Sequence, residues 1–343
     1  MSQTIELGLD TFGDITDGPD SQPLHAAQVI RNLVEEATLA DEIGVDFIGV
    51  GEHHRADFAV SSPETVLAAI ASRTKRIRLG SAVTVLSSDD PIRVFQRFST
   101  LDAVSNGRAE VILGRGSFIE SFPLFGLDLK KYEELFNEKV DLFAAVLAER
   151  PVTWSGALRP PLDNQSVYPK TESGRLTTWI GVGGTPQSVM RAAHYGLPMM
   201  LAVIGGDPKR FLPFADLYRR ALNETGKAEL PVGLHSHGFV GETDAQAKED
   251  LFADYKRMRD KIGAERGWSP MSRADFEREI EHGSLYVGSP ETVARKITAS
   301  VKALGVSRFD MKYSAGPLSH PKMMRSIELY GRKVIPLVRE MVA

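Results

Sequence analysis

Apolar positions recur along the chain with two alternating periods, and the alternation predicts strand then helix from end to end. A short apolar segment at Ile5 to Asp10 is followed, after a polar stretch, by His25 to Gly44, where Val29, Leu33, Ala37 and Ala40 repeat at helical spacing. Gly44 stops that helix, and Val45-Asp46-Phe47-Ile48-Gly49-Val50-Gly51 follows as a nearly continuous apolar run. Such a run suits a strand buried on both faces, which points to a parallel sheet. Helices at Ser62 to Thr74, Pro91 to Val104 and Tyr132 to Ala148 alternate with strands at Ile77 to Leu86 and Ala109 to Leu113.

A stretch from Arg150 to Leu176, rich in Pro, Ser, Gly and Asn, interrupts the rhythm and is long enough to suggest a functional covering. Strands at Trp179 to Val182, Met199 to Val203 and Val232 to Val240 then alternate with helices at Pro186 to Tyr195 and Pro208 to Thr225. Gln246 to His282 reads as a charged helical insertion, bounded at about 244–286, whose charges suit a solvated surface. Ser289-Pro290 opens a further helix with a capping residue and a proline, Arg308 to Tyr313 supplies the eighth strand, and Pro321 to Met341 closes the chain as a helix. No Gly-x-Gly-x-x-Gly follows the first strand. The pattern therefore predicts an α/β fold, a single (β/α)8 TIM barrel over residues 1–343 with insertions, in preference to an open doubly wound sheet.

Composition narrows the chemistry. With 343 residues, 42% of them hydrophobic, the chain can bury a large core without staples, and it contains no cysteine, so thiolate metal sites and cysteine nucleophiles are excluded. Redox work then falls to a cofactor. A net charge of −4, spread along the sequence, offers no basic stripe for a nucleic acid. No apolar run reaches a membrane span, and the start Met1-Ser2-Gln3-Thr4-Ile5-Glu6 lacks a signal-peptide pattern, so a cytoplasmic protein with no membrane partner is expected.

In a barrel the working residues lie just past the carboxyl ends of the strands. After the second strand come Glu52-His53-His54-Arg55. Adjacent histidines on an extended segment point opposite ways, which disfavours a shared metal, although His235 and His237 stand one strand face apart later on. Three roles stay open for the pair: a hydrolytic metal site, a structural histidine, or a catalytic or cofactor-contacting one. After the third strand, Gly80-Ser81-Ala82-Val83 brings small residues where a flat ring system can approach, or where barrel packing alone needs them. After the fourth, Gly114-Arg115-Gly116 sets a fixed cation between two glycines, which suits an anion but also suits a surface turn. After the fifth, Gly183-Gly184-Thr185-Pro186-Gln187-Ser188 leads straight into a helix, a second phosphate-binding element. The usual barrel phosphate site follows strands seven and eight, whereas these elements follow strands four and five.

Read together, Ile43-Gly44-Val45-Asp46-Phe47 into Glu52-His53-His54, and Leu101-Asp102-Ala103-Val104-Ser105-Asn106-Gly107-Arg108 into Gly114-Arg115-Gly116, resemble the bacterial luciferase-like, flavin-dependent monooxygenase family. Trp179-Ile180-Gly181-Val182-Gly183-Gly184-Thr185-Pro186 and Val287-Gly288-Ser289-Pro290-Glu291-Thr292 extend the resemblance over essentially the whole chain. It implies a usually dimeric barrel whose flavin phosphate lies after the fourth and fifth strands, at Arg115, Thr185 and Ser188. It also implies that His53 is the catalytic histidine and that a non-prolyl cis bond falls at Ala82 and Val83. Thr11, Glu52, Ala82, Val83, Gly114, Arg115, Gly116, Gly183, Gly184, Thr185 and Ser188 are the cofactor-binding positions expected on this basis, with no metal. One departure is Gly114, where light-emitting members carry a reactive cysteine. The implied activity is monooxygenation of a small organic substrate by O2 and reduced FMN supplied by a flavin reductase, in a homodimer. Two alternatives are deazaflavin-dependent hydride transfer on the same barrel and a flavin-binding protein without turnover.

Overall fold

The computed structural model describes residues 5–172 and 174–343; residues 1–4, on which part of the signal-peptide reading rests, and residue 173 of the long stretch lie outside the described residues. Eight strands run in one direction: β1 (Glu6–Thr11), β2 (Phe47–Val50), β3 (Arg78–Ser81), β4 (Ala109–Gly114), β5 (Thr177–Val182), β6 (Met199–Ala202), β7 (Val232–Val240) and β8 (Arg308–Lys312). Each pairs in parallel with the next, and β8 returns to β1 with Glu6 opposite Arg308 and Asp10 opposite Lys312, so the sheet closes. The predicted barrel is the observed one.

Helices wrap its outside: α1 (Ala26–Glu42), α2 (Pro63–Arg73), α3 (Pro91–Ser105), α4 (Tyr132–Val146), α5 (Pro186–Tyr195), α6 (Leu212–Glu224), α7 (Asp244–Arg266), α8 (Arg273–Glu281), α9 (Pro290–Leu304), α10 (His320–Leu329) and α11 (Ile335–Val342). The apolar stripe read at Val29, Leu33 and Ala37 is buried on α1. The last two helices were expected as one. A π turn at Tyr330–Val334 separates them, next to Pro336, which has no N–H to donate and whose ring crowds the carbonyl four residues back.

Three other expectations change. The third strand, read through Leu86, stops at Ser81: the Ala82–Val83 peptide is cis, and the chain resumes as the two-residue strand Thr84–Val85 beside β4. The Arg150 to Leu176 stretch does not cover the barrel mouth. It forms an antiparallel hairpin, Val152–Trp154 with Leu162–Gln165, that lies along the outside, where Glu138 of α4 accepts the N–H groups of Ala157 and Leu158 and Asp102 of α3 accepts that of Glu172. The charged insertion, α7 and α8, is helical as expected but not merely a solvated surface. Its face carrying Ala247, Leu251 and Tyr255 is buried, and a short strand Tyr286–Gly288 beside the end of β7 follows it.

Two apolar regions hold the fold. The larger lies between barrel and helices; the smaller fills the barrel with Phe47, Ile112, Trp179 and Met200. Bulky chains fit inside because glycines face them: a Cβ on Gly80 would sit 2.7 Å from the Phe47 ring. Beneath the mouth, Arg308 is fully buried, its Nη1 2.7 Å from Glu110 and its Nη2 2.9 Å from Asp310, with its guanidinium 3.7 Å from the centre of the Phe47 ring.

Candidate active site

β4 and β5 are neighbours, so the turns that leave them meet at one corner of the mouth. Gly116 has φ 78° and Gly184 φ 100°, conformations that favour glycine, and they turn the chain at Arg115 and into α5. Thr185 caps α5, and its hydroxyl lies 2.8 Å from that of Ser188. Arg115 pairs with Glu133 at the start of α4, and a second cation, Arg191, reaches the same carboxylate at 3.5 Å. Arg191 is held by a hydrogen bond to Asn137 (2.9 Å) and by the Phe136 ring (5.0 Å). Burial, and then the facing Arg115, lower its pKa.

This donor set fits the phosphate of a flavin mononucleotide. Two guanidiniums, two hydroxyls and a helix start converge, and a Cβ on Gly183 would meet nothing within 4 Å, so the backbone there is open to a ligand. Arg191 was missed in the sequence, although its place one turn after Ser188 puts both on one helix face.

The cis Ala82–Val83 peptide lies beside this corner, in the place the family resemblance implies. A Cβ on Gly114 would lie 2.4 Å from Val83 Cγ2, so glycine at 114 is a packing requirement in this chain. Glu52 is buried and points at the backbone: its Oε2 accepts the Val85 N–H at 2.8 Å while Oε1 lies 2.9 Å from His54 Nε2. It anchors the segment after the cis bond.

His53 and His54 diverge, as adjacent residues on an extended segment do. The His53 ring packs among Phe12 (4.8 Å between centres), Phe58 (4.3 Å) and Phe118 (5.2 Å), and the His53 backbone N–H donates to the Val60 carbonyl at 3.0 Å. Burial pushes its pKa down to about 3; Asp14 opposes that, while Lys312, His54 and Arg55 add to it. The ring is therefore neutral at physiological pH, able to donate from one nitrogen and accept at the other. In a histidine NMR titration, His53 is expected to show no protonation midpoint between pH 5 and 8; a midpoint near 6.5 would remove this assignment. Arg55, at the end of the same motif, ties its own loop, through Asp57, to Glu120 after β4 and to Glu265 in the last turn of α7, with its guanidinium 4.5 Å from the centre of the Phe118 ring.

Further round the mouth, His235 Nδ1 lies 2.6 Å from Asp10, and Lys312 Nζ lies 2.9 Å from Asp14, all buried. Burial lowers the His235 pKa, but the Asp10 carboxylate outweighs it and the net shift is upward. His237 is lowered well below the ordinary value by burial, then by Lys312 and His235. Thr11 joins these groups from the outward face of β1, which it shares with Leu7 and Leu9: its hydroxyl donates to that of Ser314 (2.8 Å), which in turn bonds Asp14 and Lys312, and accepts the Gly13 N–H (3.0 Å). No cluster of three or more metal-ligating side chains suited to a metal ion occurs among the described residues, and no helix there is long and apolar enough to cross a membrane.

Between mouth and insertion lies a cavity of about 520 Å³. Phe12, Phe58 and Phe118 border it from the barrel side, Tyr255, Met258 and Trp268 from the insertion, and His237 and Lys312 are also at its wall. The insertion is thus part of the site, through a helix whose charged residues concealed its lining face.

The chain belongs to the luciferase-like monooxygenase family, whose model matches residues 11–308. It is 27% identical to 4-hydroxyprotoasukamycin monooxygenase of Streptomyces nodosus subsp. asukaensis, over 94% of this chain and 92% of that protein. Among solved structures it resembles the monooxygenase RslO1 of Streptomyces bottropensis (TM-score 0.86, 22% identity, 97% of this chain and 99% of that one). The oxygenating constituent of 3,6-diketocamphane monooxygenase of Pseudomonas putida, in complex with FMN, is similar in fold (TM-score 0.77, 19% identity, 97% and 98%). So is an F420-dependent secondary alcohol dehydrogenase in complex with an F420–acetone adduct (TM-score 0.76, 18% identity, 98% and 99%).

Proposed function

We propose that this chain is a flavin-dependent monooxygenase that takes reduced FMN from a separate reductase and, with O2, oxygenates a small organic substrate in the mouth cavity. Its expected setting is a cytoplasmic homodimer. The observation that carries the reading is the corner where Arg115, Arg191, Thr185 and Ser188 converge, next to the cis Ala82–Val83 segment and within the same barrel mouth as His53. When bound, reduced FMN supplies the two electrons with which O2 delivers one oxygen atom to substrate and the other to water.

The chain's own residues divide the remaining work. Arg115, Arg191, Thr185 and Ser188 bind the phosphate, and Gly183, Gly184 and Gly116 let the backbone close on it. The Ala82–Val83 segment, fixed by Glu52 through Val85 and given room by Gly114, borders the ring system. Neutral His53 holds or passes a proton at one ring nitrogen. Phe12, Phe58 and Phe118 keep water from that nitrogen, which strengthens every polar contact made there.

Titration with FMN tests the corner. Losing one charge-assisted hydrogen bond is worth roughly 1.5–3 kcal/mol, so Arg115→Ala is expected to weaken FMN about 10- to 150-fold, and unchanged affinity would sink the assignment. Reconstitution with reduced FMN or with a deazaflavin then tests the reaction. Substrate-dependent O2 uptake with FMN is the expected result. Hydride transfer with the deazaflavin and no O2 uptake would move the chain to the chemistry named for the F420-dependent neighbour, and tight FMN without turnover would make it a carrier.

A further inference from the structure

Resting on that reading of the mouth, we propose that its substrate is a flat aromatic molecule bearing a carboxylate, and that Arg266 at the end of α7 selects for the acid. Aromatic rings face the cavity from both sides, Phe12, Phe58 and Phe118 from the barrel and Tyr255 and Trp268 from the insertion, which suits a planar apolar body. A volume of about 520 Å³ accommodates a molecule of more than one fused ring.

The charges on the wall decide the rest. Each acid there already has its partners: Asp14 pairs with Lys312, Glu279 accepts the N–H groups of Gly206 and Ser284, and Asp275 closes a capping box with Ser272. Among the cations, Lys312 pairs with Asp14, Arg278 with Asp275 (3.1 Å), and Arg259, itself 5.3 Å from the centre of the Trp268 ring, donates to the Ser269 carbonyl (2.6 Å) and lies 3.8 Å from Asp260. Arg266 differs from them. Its guanidinium is 5.2 Å from the centre of the Phe118 ring and 5.5 Å from that of Trp268, its Nη2 donates to the Ser117 carbonyl at 3.4 Å, and among the described residues it has no carboxylate partner. A cation in the last turn of a helix is favourable by itself, but that does not account for a guanidinium set between two aromatic rings at a cavity wall. An arginine stacked in this way keeps its N–H edge available for a carboxylate.

The test uses 2-naphthoate and its neutral counterpart 2-acetylnaphthalene as probes, by calorimetry on the full chain with and without FMN. Naphthoate is expected to bind, and Arg266→Gln to weaken it about 10-fold while leaving 2-acetylnaphthalene unchanged. Arg266→Lys, which keeps the charge, is expected to retain part of that affinity, and quenching of Trp268 fluorescence, lost in Trp268→Phe, places the probe in the cavity. Equal binding of both probes with no effect of Arg266→Gln overturns acid selection, and binding of neither overturns the aromatic class. The parent reading fails separately. Naphthoate binding that depends on Arg266 without FMN binding or O2 uptake removes the monooxygenase, and FMN-dependent O2 uptake in a protein that ignores naphthoate removes this inference alone.

Discussion

Replacing His53 with alanine is expected to slow substrate oxidation about 100- to 10,000-fold while FMN still binds, because a positioned proton-transfer group contributes on that scale. Its ring is gripped by Phe12, Phe58 and Phe118, none of them among the phosphate-binding side chains, so the change should leave the flavin titration intact. The packing gives a control. His53→Phe fills the same aromatic nest without a nitrogen, so it should restore any lost thermal stability but not the rate. Turnover that survives in either variant would make His53 structural. Since its pKa is pushed down to about 3, the neutral ring persists far into acid, and the acid limb of the rate profile should belong to another group.

Arg308→Met is expected to destabilise the barrel by about 3–5 kcal/mol, read from denaturant unfolding, since it leaves Asp310 buried without its cation and Glu110 with Arg78 alone. Methionine keeps most of the volume beside Phe47, so the loss reports charge more than a cavity. Replacing all three partners, with Glu110→Gln and Asp310→Asn, should recover most of it, because an apolar or neutral set has no orphaned ion. The pH dependence has a definite sign. Burial raises the Asp310 pKa to about 6 even with Arg308 beside it, so the folded state holds that proton more tightly than the unfolded chain. Its ionisation therefore erodes stability as pH rises from about 4 to about 6. Without Arg308 the carboxyl rises further, and the variant's deficit should be larger at pH 8 than at pH 5. A deficit independent of pH, or below 1 kcal/mol, would show that the ion pair does not hold the barrel floor.

Local pattern made the scaffold readable. The eight barrel strands, the third of them too long by its apolar run, and most helix bounds followed from apolar period, glycine stops and capping residues, because those signals act over a few residues. The two halves of the phosphate corner, Arg115 and the Thr185–Ser188 helix start, could be joined because strand order brings neighbours together. Arg308 and Glu110 lie 198 positions apart, and no period in the sequence reports that barrel closure will set them face to face. The lining face of α7 was hidden for a different reason. Met258, Arg259 and Ile262 sit among Lys256, Arg257, Asp260 and Lys261, so the charge run masked a narrow stripe. Arg55 stood in the motif from the beginning, but its role depends on Glu120 and Glu265, which only the fold brings within reach.

The way α7 is fastened has a consequence for the shelter of His53. Its first half is rooted by Ala247, Leu251 and Tyr255, whereas its far half is moored to the barrel loops by Arg257–Asp17, Lys261–Asp57 and Glu265–Arg55. Such pairs, each with one exposed partner, contribute about 0.2–1 kcal/mol and weaken with salt, and Met258 packs against Gly316 beside them, so salt-sensitive and apolar contacts hold the far half together. Arg55 also seats Phe118 against His53. One arginine thus serves both the fastening of α7 and the aromatic shelter of the histidine.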